Sequence, residues 1–169
     1  VDYAIEQGIA DGERLGVGGW SYGGILTNYV ITKTDRFKAA ISGASETLYR
    51  SLYGHDHYQR YWEMELGLPW ENQELWDKLS PFNYVENITT PTLWMGGGSD
   101  WNVPILGSEQ MYQAMKRLGR ETQLVVYPGE HHGFRKPEFI QDRLERYLIW
   151  YAKYIKGEEL NFEEDEEAE

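Results

Sequence analysis

The order of apolar and polar segments along the chain predicts a layered α/β fold. Four short apolar runs, at 14–18, 37–42, 92–95 and 123–127, have the length of buried strands. Stretches with helical spacing of apolar residues separate and follow these runs. Strands that alternate with helices pair in parallel, because each connection crosses one face of the sheet. We therefore expect an α/β fold with a parallel sheet and helices on both faces.

Helical periodicity is clearest in four stretches outside these runs. A helical pattern opens the chain at 1–8, and a second helix around Ile25 is apolar on most sides. A third is expected to begin near Pro104, since the missing N–H of proline costs nothing in a first turn. The core-facing residues expected for the third and last helices are Met111, Met115 and Leu118, then Ile140, Leu144, Tyr147, Leu148, Tyr151 and Ile155. Residues 44–80 form a polar and aromatic excursion with helical stretches near 57–66 and 71–78.

The net charge of −12 is concentrated at the carboxyl end of the chain. Residues 157–169 contain eight acidic residues and no basic one, which leaves −4 for the remaining residues. This segment is expected to be a disordered acidic tail behind a domain at 1–156. Basic residues are not clustered elsewhere, which argues against a nucleic-acid partner.

The absence of cysteine excludes disulfides, thiolate metal sites and a cysteine nucleophile, and it favours a reducing compartment such as the cytoplasm. No apolar run approaches the ~20 residues of a membrane span. The chain starts with neither an initiator Met nor a signal peptide. We expect it to be processed, trimmed or cut from a longer protein.

Candidate chemistry lies where the predicted strands end, because parallel sheets collect their sites beyond the carboxyl ends of the strands. Those ends fall in segments 18–23, 43–62, 96–103 and 128–134. The first segment belongs to the stretch GVGGWSYGG, which suits a phosphate loop or a nucleophile turn. The phosphate interpretation fails, because Ser21 stands where a dinucleotide loop has its third glycine and no Lys precedes it.

The same stretch matches Gly-x-Ser-x-Gly, with Ser21 between Gly19 and Gly23. A serine at a sharp strand-to-helix turn needs residues without side chains two positions away. It also needs a base, and a group that orients the base. Asp100 follows the third strand and His132 follows the fourth. The chain order is therefore serine, acid, histidine, which is the order that accompanies a Gly-x-Ser-x-Gly turn between a strand and a helix. The three residues predict a nucleophile, an orienting acid and a base on one rim of the sheet.

The chain has three histidines besides His132. Sequence spacing leaves His131 open as the base, although Gly133 gives His132 the freer approach. His55 and His57 form a His-x-His pair, but no third ligand stands at a fixed spacing, so surface histidines are expected. No metal or organic cofactor is implied.

Three motifs carry a resemblance to a known family: GWSYGG at 19–24, DWNVP at 100–104 and YPGEHHGF at 127–134. Through them, residues 1–156 resemble the carboxyl-terminal part of the catalytic domain of the prolyl oligopeptidase family of serine peptidases. The resemblance implies the carboxyl-terminal half of an α/β-hydrolase fold. It carries the family's catalytic serine, aspartate and histidine onto Ser21, Asp100 and His132. It also implies that the backbone N–H of Tyr22 lines the oxyanion hole.

Within the family, the Trp-Ser-Tyr sequence at 20–22 is most similar to the dipeptidyl-peptidase IV branch. That resemblance implies that Tyr49 and Tyr53, a Tyr-x-x-x-Tyr pair, line the pocket for the residue before the cleaved bond. It assigns Val103 and Tyr22 to further pocket walls, and Asn102 to holding a substrate carbonyl. Arg50 stands where the branch usually has an acid. Each aromatic residue of the excursion equally suits packing over the sheet.

The family's fold also implies missing partners. An α/β-hydrolase sheet has eight strands and this chain predicts four, so we expect an absent amino-terminal half of the catalytic domain and a β-propeller. The absent half would supply the second oxyanion donor and cover the strand at 14–18. We therefore expect the isolated chain to be a poor catalyst and to associate through that edge.

The function expected from these residues is a serine peptidase that acts on short peptides through an acyl-enzyme, either dipeptidyl- or aminopeptidase-like or oligopeptidase-like. A carboxylesterase on the same fold is an alternative, because the triad does not distinguish an amide from an ester. A catalytically silent interaction module is a second alternative, against which the retention of all three residues argues.

Overall fold

Four parallel strands form a sheet in the computed structural model, which describes residues 1–162. The strands are β1 (Gly16–Trp20), β2 (Ala39–Gly43), β3 (Thr92–Gly97) and β4 (Thr122–Tyr127), and they lie side by side in that order. All three pairings are parallel, with Ser42 opposite both Gly19 and Trp94. The predicted parallel sheet is confirmed, although β1 and β2 begin two residues later than the apolar runs suggested.

Helices cover both faces of this sheet. They are α1 (Asp2–Glu6), α2 (Tyr22–Ile31), α3 (Tyr49–Leu52), α4 (Gln59–Leu66), α5 (Gln73–Leu79), α6 (Leu106–Arg117) and α7 (Pro137–Tyr151), with a 3-10 helix at Pro81–Asn87 and a π-helical turn at Ala152–Lys156. Ile31 of α2 and Met111 and Met115 of α6 pack on one face, around Trp94. Trp150 of α7 packs on the other. The chain therefore forms a three-layer α/β structure.

The predicted stripe of the last helix is only partly correct. Tyr147, Tyr151 and Ile155 pack against the sheet core as expected. Leu144 and Leu148 are instead 49% and 55% exposed, whereas Trp150 is 6% exposed and packs on the sheet. Two apolar stripes overlap along this helix, and only contact with the sheet decides which one is buried. Pro104 also lies outside α6, which begins at Leu106. Leu118, expected in the core, follows the end of α6 and is 43% exposed.

The excursion between β2 and β3 has a small core of its own. Tyr49, Leu66 and Trp76 are buried in it, and Ile25 of α2 packs against them. The helices α4 and α5 lie close to the two predicted helical stretches, whereas α3 and the 3-10 helix were not predicted. This excursion lies against the amino-terminal part of α2, beside the end of β1.

Residues 157–162 are exposed and form neither helix nor strand, and the rest of the predicted acidic tail lies outside the described residues. No helix within residues 1–162 is long and apolar enough to cross a membrane.

Candidate active site

Ser21 occupies a sharp turn between a strand and a helix. β1 ends at Trp20 and α2 begins at Tyr22, which leaves Ser21 as the one residue between them. Its φ of 60° is in a region that residues other than glycine rarely adopt. The backbone N–H of Ser21 donates to the carbonyl of Gly43 at the end of β2, at 2.9 Å. The neighbouring strand therefore holds a strained backbone that points the serine away from the sheet.

The close packing of this turn requires glycine at particular positions. A Cβ at Gly19 would lie 2.3 Å from the carbonyl carbon of Gly23, and one at Gly43 would lie 2.1 Å from the Trp20 ring. At Gly23 an added Cβ would meet nothing within 4 Å. The expectation that both motif glycines must lack a side chain is thus correct for Gly19 and wrong for Gly23. The backbone of Gly23 is the group that Gly19 contacts closely.

The structure brings Ser21, His132 and Asp100 into one hydrogen-bonded chain. His132 Nε2 lies 2.9 Å from Ser21 Oγ, and His132 Nδ1 lies 2.9 Å from Asp100 Oδ2. The Asp100 side chain is 1% exposed and the His132 side chain 27% exposed. The inner end of this chain is therefore shielded from water, while the outer end remains open to a substrate.

Asp100 is fixed by the loop that follows β3. Its Oδ1 accepts hydrogen bonds from the backbone N–H groups of Asn102 at 2.8 Å and Val103 at 2.9 Å. Both oxygens of the carboxylate are thus engaged, one by the loop and one by His132. The structure gives no contact that assigns a role to the Asn102 side chain, and its predicted contact with substrate stays a prediction.

Two residues that sequence reasoning missed hold the loop of His132. The Trp20 indole N–H donates to the backbone carbonyl of His132 at 3.0 Å. Glu130 is 4% exposed; its carboxylate accepts from the N–H of Arg135 at 2.5 Å, and its carbonyl accepts from the N–H of Ser99 at 2.9 Å. In the sequence, Trp20 directly precedes the serine and Glu130 directly precedes the histidine pair. These positions alone do not indicate which distant groups the two side chains contact.

The remaining histidines lie apart from this chain of hydrogen bonds. His131 is exposed, and it is the ring of its neighbour His132 that contacts both Ser21 and Asp100. His55 and His57 are exposed as expected, and the ring of His55 packs edge-on against Trp101. Within residues 1–162, no three His, Cys, Asp or Glu side chains are grouped to hold a metal ion.

A cavity of about 160 Å³ opens beside Ser21. It is lined by Ser21 and Glu46 together with Tyr22, Ile25, Tyr58, Trp62 and Val103. Tyr22 and Val103, which the resemblance assigned to pocket walls, both line this cavity, and their contact with substrate stays a prediction. Tyr22 is also the first residue of α2, so its backbone N–H is among the first-turn donors without an acceptor inside the helix.

The two tyrosines of the predicted pair lie outside the lining of this cavity, and their predicted contact with substrate stays a prediction. Tyr49 is 7% exposed, packs edge-on against Trp62 and lines an adjoining cavity. Tyr53 follows the end of α3, packs in the same small core as Tyr49, and donates its hydroxyl to Glu63 at 2.6 Å.

Arg50, which stands where an acid was expected, pairs with Asp77 at 2.6 Å and lies outside the lining of this cavity. The acid in the cavity wall is instead Glu46, which is 1% exposed. Burial, together with the charge of the nearby Asp56, raises the pKa of Glu46 to about 9.

Comparison with known proteins places the chain in a known family. The family model described as prolyl oligopeptidase family matches residues 1–158. A peptidase of Bacillus subtilis, the uncharacterized peptidase YuxL, is 36% identical over 162 residues, 92% of this chain and 24% of that protein. The acylamino-acid-releasing enzyme of Arabidopsis thaliana is 30% identical over 171 residues, 92% of this chain and 22% of that protein.

Solved structures agree with these relatives. A puromycin-hydrolyzing peptidase of Mycobacterium tuberculosis superposes with a TM-score of 0.89 at 29% identity, covering 96% of this chain and 25% of that one. An acylaminoacyl peptidase of Pyrococcus horikoshii superposes with a TM-score of 0.86 at 28% identity, covering 96% and 27%. The chain thus spans about a quarter of the length of its relatives. The narrower resemblance to the dipeptidyl-peptidase IV branch stays a prediction. The α/β-hydrolase fold is confirmed, and the chain belongs to the prolyl oligopeptidase family of serine peptidases.

Proposed function

We propose that this chain carries the catalytic serine, histidine and aspartate of a peptidase that cleaves short peptides through an acyl-enzyme. The observation that supports this most directly is the pair of 2.9 Å contacts from His132, to Ser21 Oγ on one side and to Asp100 Oδ2 on the other. A serine held at positive φ beside a helix start strengthens the proposal, because packing alone does not need such strain.

The proton positions follow from these contacts. Asp100 accepts two backbone N–H bonds on Oδ1, so its Oδ2 is free to accept the Nδ1–H of His132. That bond fixes the tautomer in which Nε2 carries a lone pair and accepts the Ser21 hydroxyl. Ser21 Oγ then attacks the carbonyl carbon of the substrate while His132 takes the serine proton.

The later steps use the same groups. The tetrahedral intermediate carries an oxyanion, which the backbone N–H of Tyr22 and the positive end of α2 stabilise. His132 gives its proton to the leaving amine, and the acyl-enzyme remains on Ser21. A water molecule, deprotonated by His132, then attacks the acyl carbon and releases Ser21. No step requires a metal or an organic cofactor.

The proposed substrates are short peptides and related amides. One relative is named for the release of acylated amino acids, and one structural neighbour is a peptidase named for the hydrolysis of puromycin. The cavity of about 160 Å³ beside Ser21 has a size that suits one side chain next to the cleaved bond. Because the relatives are about four times longer than this chain, we propose that the remaining length supplies a second oxyanion donor and screens substrates by size.

The proposal is tested by comparing acylation with turnover. The chain is mixed with a nitrophenyl ester and with a peptidyl nitroanilide of the same acyl group, and the release of nitrophenol and nitroaniline is followed for wild type and Ser21→Ala. We expect wild type to release a burst of nitrophenol stoichiometric with the protein and to release nitroaniline more slowly. We expect Ser21→Ala to release neither product. Equal release by Ser21→Ala would refute the proposal, and release from the ester alone would favour the carboxylesterase alternative.

A further inference from the structure

Glu46 is held in place by a buried polar network between α2 and the end of β2. Asn28 donates to the carbonyl of Glu46 at 3.2 Å and to Ser45 Oγ at 2.9 Å. The Ser42 hydroxyl lies 2.6 Å from both the Asn28 carbonyl oxygen and Ser45 Oγ. These residues are almost fully buried, so the backbone of Glu46 has little freedom to move.

The Glu46 side chain lacks the partners that a buried carboxyl group normally has. Neither of its oxygens makes a hydrogen bond, although the residue is 1% exposed and lies in the cavity wall. A buried polar group without a partner is costly, so its presence in the wall of a cavity calls for an explanation. The lining of the cavity contains no Lys or Arg that could pair with this carboxyl group.

A second carboxyl group, that of Asp56, lies close to Glu46. Asp56 is 9% exposed and accepts from the N–H of Tyr58 at 2.7 Å and from the indole of Trp62 at 3.1 Å, two residues of the same cavity wall. The cavity wall therefore holds two neighbouring carboxyl groups among aromatic side chains, an arrangement that suits a cation.

We propose that the cavity beside Ser21 binds a cationic nitrogen of the substrate against Glu46 and Asp56. This inference rests on the proposed function, because it places that nitrogen next to the bond that Ser21 attacks. The nitrogen belongs either to a Lys or Arg side chain before the cleaved bond or to the free α-amino group of a terminal residue. Both sources present the same chemistry, an ammonium or guanidinium group whose N–H bonds satisfy the Glu46 oxygens.

The test uses this chain with phosphonate diphenyl esters, in which Ser21 Oγ bonds to phosphorus, phenoxide leaves and His132 takes the serine proton. One arm compares the acetylated lysine compound with the acetylated norleucine compound, which lacks only the ammonium group. The other compares norleucine compounds with free and acetylated α-amino groups. In one arm we expect the cationic compound to react at least about ten-fold faster than its neutral counterpart, which is the effect of one charge-assisted hydrogen bond. The arm that shows this difference identifies whether the side chain or the α-amino group supplies the cationic nitrogen.

Variants assign the preference to Glu46. Glu46→Gln keeps the volume but replaces the carboxyl group with an amide, which cannot give up a proton to balance a bound cation, and we expect the preference to fall to about one. Glu65→Gln, an exposed carboxylate of the adjoining cavity, is the control and should keep it. Equal rates in both arms, or a preference that survives in Glu46→Gln, would overturn the proposal.

A binding measurement keeps this test separate from the proposed function. Calorimetric titration of the chain with N-acetyl-lysine amide, N-acetyl-norleucine amide and norleucine amide requires no reaction. A fluorophosphonate without a side chain reports only the reactivity of Ser21. Failure to label Ser21 would count against the proposed function, whereas equal binding of the three amides would overturn the cation site.

Discussion

The indole N–H of Trp20 donates a hydrogen bond to the backbone carbonyl of His132 at 3.0 Å, although the two residues are 112 positions apart in the sequence. Trp20 also stacks edge-on against Phe134 at 5.2 Å between ring centres, and the guanidinium of Arg143 lies over both rings. The residue before the proposed nucleophile thus packs against the loop that carries the proposed base. One strand end therefore positions both groups relative to each other.

Loss of this contact should lower activity more than stability. Trp20→Phe keeps an aromatic ring but removes the donor, which costs roughly 1 kcal/mol of stability. Because a small displacement of a catalytic group can reduce the rate by as much as ~10²-fold, we expect a drop in kcat on the order of ten-fold with KM nearly unchanged. Trp70→Phe, at an indole that is 61% exposed, is the matched control and should keep wild-type kcat. An unchanged kcat in Trp20→Phe would show that the indole contact does not position His132.

The two motif glycines should respond differently to alanine. Gly19→Ala places a methyl group 2.3 Å from backbone that cannot move without opening the turn, so we expect a loss of at least about 3 kcal/mol or no folded protein. Gly23→Ala enters open space inside a helix and should leave stability unchanged or raise it by up to ~1 kcal/mol. Urea unfolding of both variants gives the comparison. A larger loss of stability in Gly23→Ala than in Gly19→Ala would contradict the close contact between Gly19 and the Gly23 backbone.

Replacing His132 should be far more damaging than replacing His131. His132→Ala removes the group that contacts both Ser21 and Asp100, and we expect the acylation rate to fall roughly 10³-fold or more. His131→Ala changes an exposed ring and should alter the rate by less than about three-fold. Burst kinetics with a nitrophenyl ester measure both. The reverse ranking would transfer the role of base to His131.

The buried Glu46 predicts that stability falls as pH rises. Its pKa is raised from 4.5 to about 9 in the folded protein, so between these values the folded state retains a proton that the unfolded state has released. The free energy of unfolding should therefore decrease with pH, by up to about 1.4 kcal/mol per pH unit from this group. Urea unfolding at pH 6, 7 and 8 should show a flatter dependence for Glu46→Gln than for wild type or the exposed control Glu65→Gln. Identical slopes for all three would mean that Glu46 titrates normally.

The sheet and the grouping of Ser21, Asp100 and His132 could be predicted because they depend on patterns local to the sequence. Short apolar runs mark buried strands, and parallel strands bring their carboxyl ends to one edge whatever the details of packing. A residue placed just after a strand therefore lies at that edge without further information. This reasoning does not extend to side chains that follow no such rule.

The remaining features depend on contacts between distant segments. Leu144 and Trp150 lie on overlapping stripes of α7, and the sheet alone decides which is buried. Tyr49 and Tyr53 share helical spacing, but both rings pack in the core of the excursion and the Tyr53 hydroxyl bonds to Glu63. In the sequence, Glu46 is indistinguishable from an ordinary exposed polar residue after a strand. Its burial results from contacts with Asn28 and from the excursion that folds over it. No periodicity reports such an arrangement.

The central claim is that Ser21 is a nucleophile activated by His132 and Asp100, and covalent labelling with a fluorophosphonate tests it most directly. Labelling requires the nucleophile and its base but not the full apparatus of turnover, so it applies to this chain as it stands. Intact-mass and peptide mass spectrometry should locate one phosphonyl group on Ser21 in wild type. Ser21→Ala should gain none, and His132→Ala should react roughly 10³-fold more slowly. Labelling of Ser21→Ala at the wild-type rate, or a wild-type label on another residue, would contradict the account.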